Sequence, residues 1–215
     1  MSDCCDPTPY RRFFNRKEAD RNVRSYRKRG LDPIAKGMVD FLVSGGVEGA
    51  DVLEVGGGVG AVQIELLKAG AANTVNAELS SGYEDAALKL AKEEGVEDRI
   101  TRRLGDFVET RDDFEPADIV VMNRVVCCYP WMEKLMGAAV AKTGKYLALV
   151  FPREKWWVKS GLGMGNRFMA LRGCDFRAFV HPVDQIEAVA TRVGLDVRHA
   201  ENNPIWQALV LERVS

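Results

Sequence analysis

The residues best suited to chemistry are a carboxylate and a set of glycines in one stretch, Asp51-Val-Leu-Glu-Val-Gly-Gly-Gly-Val-Gly60. Glu54 stands inside a short apolar run, an expensive place for a charge without a purpose. Gly56, Gly58 and Gly60 lack a Cβ, so the backbone can turn sharply there and come close to a ligand. A helix starting near Ala61 would aim its free N–H groups into the same space. A strand, a glycine turn and a helix start together make a site for a nucleotide-type cofactor. Two more acids, Glu78 and Asp106, and one amide, Asn123, recur at or just past the ends of later apolar runs.

These side chains act together only if the fold gathers them. Val52 to Val55 reads as a first core strand. Val62, Leu66 and Leu67 mark a helix ended by Gly70. Thr74 to Leu79 predicts a second strand with Glu78 near its C-terminal end. Ser81-Gly-Tyr-Glu84 resembles a capping box, and the helix behind it carries Ala87, Leu88 and Ala91 and stops at Gly95. Ile100 to Leu104 is a third strand leading into Gly105-Asp106-Phe107. Asp118 to Asn123 is a fourth, strongly apolar strand, followed by Arg124-Val-Val-Cys-Cys-Tyr-Pro130 and a helix through about Ala141. Lys145 to Phe151 is a fifth strand. His181-Pro182 opens a last helix, Val183 to Val193. Strands about Asp196 to Ala200 and Ile205 to Glu212 then follow with no helix between them.

Strands alternating with helices imply a parallel sheet with helices on both faces. Right-handed crossovers place the strand C-termini on one edge, where ligands bind at the switch point. The expected fold class is therefore α/β: a Rossmann-like, seven-stranded, mostly parallel sheet with a C-terminal antiparallel strand hairpin. Residues 47–215 would form the cofactor-binding domain. Residues 1–46 would form a basic helical arm, because Tyr10 to Gly30 holds nine Lys/Arg against two acids, with aromatics at roughly helical spacing. The arm is either a solvated helix packed on the domain or a lid that attracts an anionic substrate. Asp32-Pro33 starts a further helix with Asp as N-cap and Pro at its first position. The segment of about residues 152–180 breaks the rhythm and reads as an aromatic, glycine-rich loop insertion of the binding-loop or lid type.

The net charge of −1 over 215 residues argues against a nucleic-acid partner, which needs a basic field. No apolar run reaches the roughly 18 residues that span a bilayer, so no integral membrane segment is expected. The first residues, Met1-Ser-Asp-Cys-Cys-Asp, lack a signal pattern, and the expectation is a cytoplasmic protein. Five cysteines, four of them in the adjacent pairs Cys4-Cys5 and Cys127-Cys128, do not make a secreted disulfide framework. A homo-oligomer is compatible with the sequence.

Gly56-Gly-Gly-Val-Gly-Ala61 also fits G-x-G-x-x-G/A, so an NAD(P)-dependent oxidoreductase is one alternative. A non-catalytic module that kept the cofactor fold is another. Against the nicotinamide reading stand the acid two residues before the first glycine, the further acid at Asp106, and the closing strand hairpin in place of a second mononucleotide half. The combination E-x-G-x-G-x-G, an acid ending strand two and an acid after strand three resembles the class I S-adenosylmethionine-dependent methyltransferases, over about residues 47–212. That resemblance implies a methyltransferase with S-adenosylmethionine as cofactor. It implies that Glu54, Gly56, Gly58 and Gly60 meet the methionine part, Glu78 the ribose hydroxyls, and Asp106 the adenine amino group with Phe107 beside the ring. Asn123 and Arg124 would face cofactor and acceptor. A carboxylate can accept from two vicinal hydroxyls, which agrees with the role of Glu78, and Glu54 is a candidate to favour the sulfonium charge.

A narrower similarity joins Arg124-Val-Val-Cys-Cys-Tyr-Pro130 and Tyr10-Arg-Arg-Phe-Phe-Asn15 to the magnesium-protoporphyrin O-methyltransferases. It implies a small-molecule acceptor, porphyrin-like or otherwise planar or apolar. This chain has Cys128 where that family tends to have His, and Arg124 where it tends to have Asp. The expected pocket uses Arg124, Cys128 and Tyr129 with Trp156 and Trp157; Trp131, Met164 and Phe168 are further wall candidates. A hydroxyl or amine acceptor would gain from a base. Of the two histidines, His181 is the better candidate, with a satisfied loop histidine as the plainer reading. Tyr129 either orients the acceptor or packs beside Pro130. Cys127-Cys128, with Cys4-Cys5 folded over them as part of a lid, could gather thiols for a soft metal or a redox link. Adjacent cysteines face one metal poorly, so packing residues and no metal site are the expectation.

Overall fold

The structure, a computed structural model, describes residues 8–214. Cys4 and Cys5, and any thiol cluster built on them, lie outside the described residues. Three helices come first: α1 (Thr8–Phe13), α2 (Arg16–Arg29) and α3 (Pro33–Ser44). Then β1 (Asp51–Val55), α4 (Ala61–Lys68), β2 (Asn73–Glu78), α5 (Glu84–Glu93), β3 (Ile100–Leu104), β4 (Ala117–Asn123), α6 (Met132–Ala141) and β5 (Thr143–Pro152) alternate. The chain closes with α7 (Trp156–Leu171), α8 (Val183–Thr191), β6 (Leu195–Asn202) and β7 (Trp206–Arg213).

The seven strands form one sheet in the order β3-β2-β1-β4-β5-β7-β6. The first five in that order are parallel, and β7 is antiparallel to both β5 and β6. The expected hairpin is therefore present, with β6 at the edge. Alternation of side chains along each strand divides the core into two layers. Ile119 and Val121 of β4 pack with residues of α2, α3, α4 and α5. Val120 and Met122, between them, pack on the other face with α6 and α8.

Local chemistry explains most element starts. Asp32 caps α3 by accepting from the Ala35 N–H, with Pro33 at the first helical position. Asn15 caps α2 by accepting from the Lys17 and Glu18 N–H groups. α3 is not a detached part of an arm: Ile34, Met38 and Leu42 are buried in the main core.

Two expectations change. Ser81 makes no capping box with Glu84; a 3-10 turn spans Ser81–Tyr83, and the Ser80 hydroxyl accepts from the Gly82 N–H. Glu84 is occupied instead by the Arg102 guanidinium at 2.8 Å. The expected loop insertion is largely the 16-residue helix α7, because its three glycines, at 161, 163 and 165, all sit in helical backbone. Among the described residues, no helix is long and apolar enough to cross a membrane.

Candidate functional site

The strand C-termini open on one edge, and hydrogen bonds just past them fix where the loops leave. The Gly56 N–H donates to Ala77 O, the Gly105 N–H to Glu78 O, and the Arg124 N–H to Val150 O. Above this edge lies a cavity of about 500 Å³, within the usual range for ligand sites. Its floor is the run from Gly56 to Val59, with Glu78, Asp106, Phe107, Asn123 and Arg124. β1 and β4 are neighbours there, so the floor straddles the point where the strand order reverses.

The glycine turn is built for close approach. Gly56 and Gly58 have φ of +63° and +57°, and a Cβ on Gly56 would lie 2.7 Å from Val125. Gly60, also at positive φ, is the N-cap of α4 and does not line the cavity. Glu78 is buried, and each of its oxygens accepts one backbone hydrogen bond at 2.9 Å, from the Gly58 and Ser80 N–H groups. Burial raises its pKa, and those two N–H groups oppose the rise. Lone pairs remain on both oxygens for donors in the cavity.

Asp106 accepts from the Val108 N–H at 2.8 Å through one oxygen and faces the Tyr129 hydroxyl at 3.5 Å through the other. Phe107 is buried edge-on against Phe114 and presents part of its surface to the cavity. The Asn123 Oδ1 is buried without a hydrogen-bond partner at the cavity wall. Arg124 has φ +63°, uncommon for a residue with a side chain. Its guanidinium bridges to Asp32 at 2.9 Å and lies 4.5 Å from the Trp206 ring centre. Cys128 lines the cavity with its sulfur 3.8 Å from that of Cys127. That contact and burial push the Cys128 thiol up, so it stays protonated. Among the described residues, no group of three or more His, Cys, Asp or Glu could hold a metal.

Glu54 lies elsewhere than expected. It is 1% exposed, does not line the cavity, and packs behind Gly57. The reason is strand alternation: Val55 faces the cavity and so Glu54 turns away. Burial raises its pKa to about 8, opposed by the Arg102 charge and the Gln63 backbone N–H. Near pH 7 it is largely neutral, and it does not offer the cavity a carboxylate charge.

His181 and the tryptophans also lie outside the cavity. The His181 Nε2 is 2.9 Å from Tyr129 O, and burial lowers its pKa, so the neutral ring donates to that carbonyl and holds the Tyr129 segment. Trp156 and Trp157 are exposed on α7, of which only Val158 is fully buried. Met164 and Phe168 are exposed too, and Trp131 packs against Tyr129 without reaching the cavity.

The roof comes from α1 and α2. Tyr10 and Phe14 cover the end of the cavity at Cys128, where the Tyr10 hydroxyl donates to Cys128 O at 2.5 Å. Glu18, Asn22, Ser25 and Arg29 line the cavity along α2. Sequence reasoning missed these four, although a signal was present. They fall at i, i+4, i+7 and i+11, one polar stripe beside the buried stripe of Ala19, Val23 and Tyr26.

No family model matches the sequence. Protein arginine N-methyltransferase 6 of Danio rerio is 32% identical over 127 residues, covering 59% of this chain and 33% of that protein. The match thus spans about a third of the relative's length. Magnesium protoporphyrin IX methyltransferase from Synechocystis PCC 6803, solved with bound SAH, superposes with a TM-score of 0.76 at 20% identity, covering 97% of this chain and all of the other. An O-methyltransferase family protein from Burkholderia thailandensis gives 0.73 at 17% identity, over 93% of this chain and 60% of that one. A TehB-like SAM-dependent methyltransferase from Corynebacterium glutamicum gives 0.64 at 15% identity, over 93% and 98%. The chain therefore has the fold of the S-adenosylmethionine-dependent methyltransferases.

Proposed function

We propose that the protein is an S-adenosylmethionine-dependent methyltransferase acting on a small-molecule acceptor of planar or apolar kind, porphyrin-like compounds among them. The observation that carries the reading is the convergence of Glu78, Asp106 and the Gly56–Gly58 turn in one cavity over the β1/β4 switch point. The residues present fit the cofactor. The turn leaves room for a nucleoside against the backbone, Glu78 retains acceptor capacity for vicinal hydroxyls, and Asp106 with Phe107 offers an acceptor beside an aromatic wall. Asn123 has an acceptor oxygen without a partner.

The cofactor supplies a methyl group already activated on a sulfonium centre. The chain's own work is then alignment, exclusion of water and electrostatics. Tyr129 is held at both ends, by its hydroxyl on Asp106 and by its carbonyl under His181, and so fixes the wall between cofactor and acceptor. α1 and α2 serve as the lid, and the sheet with its packed helices, α3 among them, as the cofactor domain. No histidine lines the cavity among the described residues, so a base for a hydroxyl or amine acceptor would come from a lining carboxylate such as Glu18 or from Tyr129, whereas an acceptor that arrives ionised needs none. Arg124 and Arg29 on the wall suit the negative charge of such an acceptor.

Titration calorimetry with S-adenosylmethionine tests the cofactor reading. Glu78→Ala and Asp106→Ala should each weaken binding at least about tenfold, the worth of one charged hydrogen bond. Unchanged affinity in both would sink the assignment. The sequence match to an arginine methyltransferase carries a second reading, a protein arginine acceptor. Transfer of labelled methyl to an arginine-rich peptide, and not to planar carboxylic acids, would select it.

A further inference from the structure

α7 carries its apolar residues on the wrong side for a core helix. Its inner face is Val158, Leu162 and Met169, buried or half-buried, with Asn166 bonded twice to Ala178. Its outer face presents Trp157, Met164, Phe168 and Leu171, which are 46%, 72%, 55% and 83% exposed, and Trp156 at its start is 75% exposed. Positions 157, 164, 168 and 171 fall on one helical stripe, so this is a continuous face and not scattered exposure. Five of the thirteen large exposed hydrophobics among the described residues are on this one helix.

The charge beside the stripe is of one sign. From Arg153 to Arg172 there are five basic residues and one acid, Glu154, which is bound to Lys159 at 2.8 Å. Arg167 borders the stripe, and the Arg172 guanidinium lies 4.4 Å from the Phe168 ring centre. A helix with tryptophan, phenylalanine and leucine outward and arginines at the margins suits the plane of a membrane interface. Long basic side chains can reach headgroup phosphates while their stems lie on the apolar surface. The one acid of the segment, Glu154, is already bound to Lys159, so the same face of a second copy would offer these arginines no free carboxylate, and the charge favours an anionic surface over self-association.

The helix also connects to the roof of the cavity. Phe176, just beyond α7, stacks on Phe13 at 4.5 Å and meets Phe14 at 5.3 Å, and Arg12 donates to Gly173 O at 3.0 Å. We infer that α7 is a docking helix that lays its Trp157–Leu171 face on an anionic lipid bilayer surface, beside the lid of the cavity.

The test is co-sedimentation of the 215-residue chain with vesicles of phosphatidylcholine alone and of phosphatidylcholine with roughly a third phosphatidylserine, at low and high salt. Binding to the anionic vesicles, lost at high salt and accompanied by a blue shift of tryptophan emission, is expected. Trp157→Ser with Phe168→Ser should lower the partition at least about tenfold, and Arg167→Glu with Arg172→Glu by a similar factor. These side chains are exposed, so melting by circular dichroism should be unchanged in both variants. The proposal is overturned if the wild-type chain stays in the supernatant with anionic vesicles, or binds as well after Trp157 and Phe168 are replaced. It is also overturned if light scattering shows a lipid-free dimer that the same substitutions split while vesicle binding is absent.

Discussion

Glu54→Gln tests how the glycine turn is supported from behind. Glu54 is fully buried, with Asn76 donating to it at 3.5 Å, and burial raises its pKa from the ordinary 4.5 to about 8. Between those two values the folded protein keeps a proton that the unfolded chain has lost. Stability from this group is therefore full below about pH 4.5 and declines as pH rises through about 8. At about 1.4 kcal/mol per pH unit, the decline across that window is roughly 5 kcal/mol. Glutamine has no proton to lose, so Glu54→Gln removes this slope. Near pH 5 the two proteins should differ by no more than about 1–2 kcal/mol, the scale of one altered hydrogen bond. Near pH 8 the variant should be the more stable. At roughly 2–4 °C per kcal/mol for a chain of this size, the melting temperatures should separate by about 10–20 °C over that range. Burial raises Glu78 as well, a contribution present in both proteins, while the repulsion from Glu78 that helps to raise Glu54 disappears in Glu54→Gln and belongs to the slope being measured. Urea unfolding of the cofactor-free protein at several pH values reads the effect directly. Parallel stability curves would refute the argument. So would a tenfold loss of S-adenosylmethionine affinity in Glu54→Gln, because a neutral residue behind the turn should leave affinity nearly unchanged.

Three further substitutions probe the supports of the site. Gly57→Ala puts a methyl group onto Asn76 Nδ2 and 2.5 Å from Glu54 Oε2, both buried. It should cost about 1–3 kcal/mol in urea unfolding and weaken cofactor binding, and full stability would mean that the turn can move. Arg102→Met strips a buried guanidinium from Glu84 and from Gly58 O at 3.0 Å. A loss of roughly 2–4 kcal/mol is expected, reduced from a fully buried pair by the partial exposure of Glu84; no loss would show that the network is idle. Gly163→Ala on α7 meets open space in helical backbone and should raise stability by about 0.5–1 kcal/mol, seen as a higher urea midpoint. A fall there would mean that the side of α7 bearing Gly163 is covered.

The sheet was legible because its signals are local. Apolar runs of strand length, glycine stops and capping residues located β1 to β7 within about two residues, and βαβ handedness then fixed which ends share an edge. That is why Glu78, Asp106 and Asn123, spread over 46 positions, could be expected at one mouth, and all three line the cavity. Glu54 was misplaced by a single step of strand alternation, since a motif gives spacing and not the face a side chain takes. Arg102 was invisible for a different reason. Its partners, Glu84 and the Gly58 carbonyl, are 18 and 44 residues away, and no local pattern encodes their meeting. The tryptophans of α7 misled because aromatics near glycines read as a binding loop. The helix they start turns them outward instead.

The two sides of the cavity are therefore held by different forces, and this bears on how the site would work. The floor is backbone: strand ends, turns and N–H groups locked into the ladder of the central strands, which can move only by disrupting the sheet. The roof is held by side chains. Tyr26 reaches Glu65, Asn22 reaches Tyr83 at 3.3 Å, and Arg27 reaches Glu93 at 2.5 Å. The exposed Arg27–Glu93 pair contributes at most about 1 kcal/mol, the neutral Asn22–Tyr83 hydrogen bond about as much, and the Tyr26–Glu65 bond, made to a carboxylate, roughly 1.5–3 kcal/mol. The apolar anchors of α2 are only Ala19, Val23 and the Tyr26 ring. Opening the roof would thus cost a fraction of the energy of unfolding the sheet, which is what a site that must admit a cofactor and release its product requires. The Arg124–Asp32 bridge joins the two parts at the α2–α3 corner. A negatively charged acceptor arriving at Arg124 would compete with Asp32 for the same guanidinium, so acceptor entry and the setting of that corner are coupled through one residue.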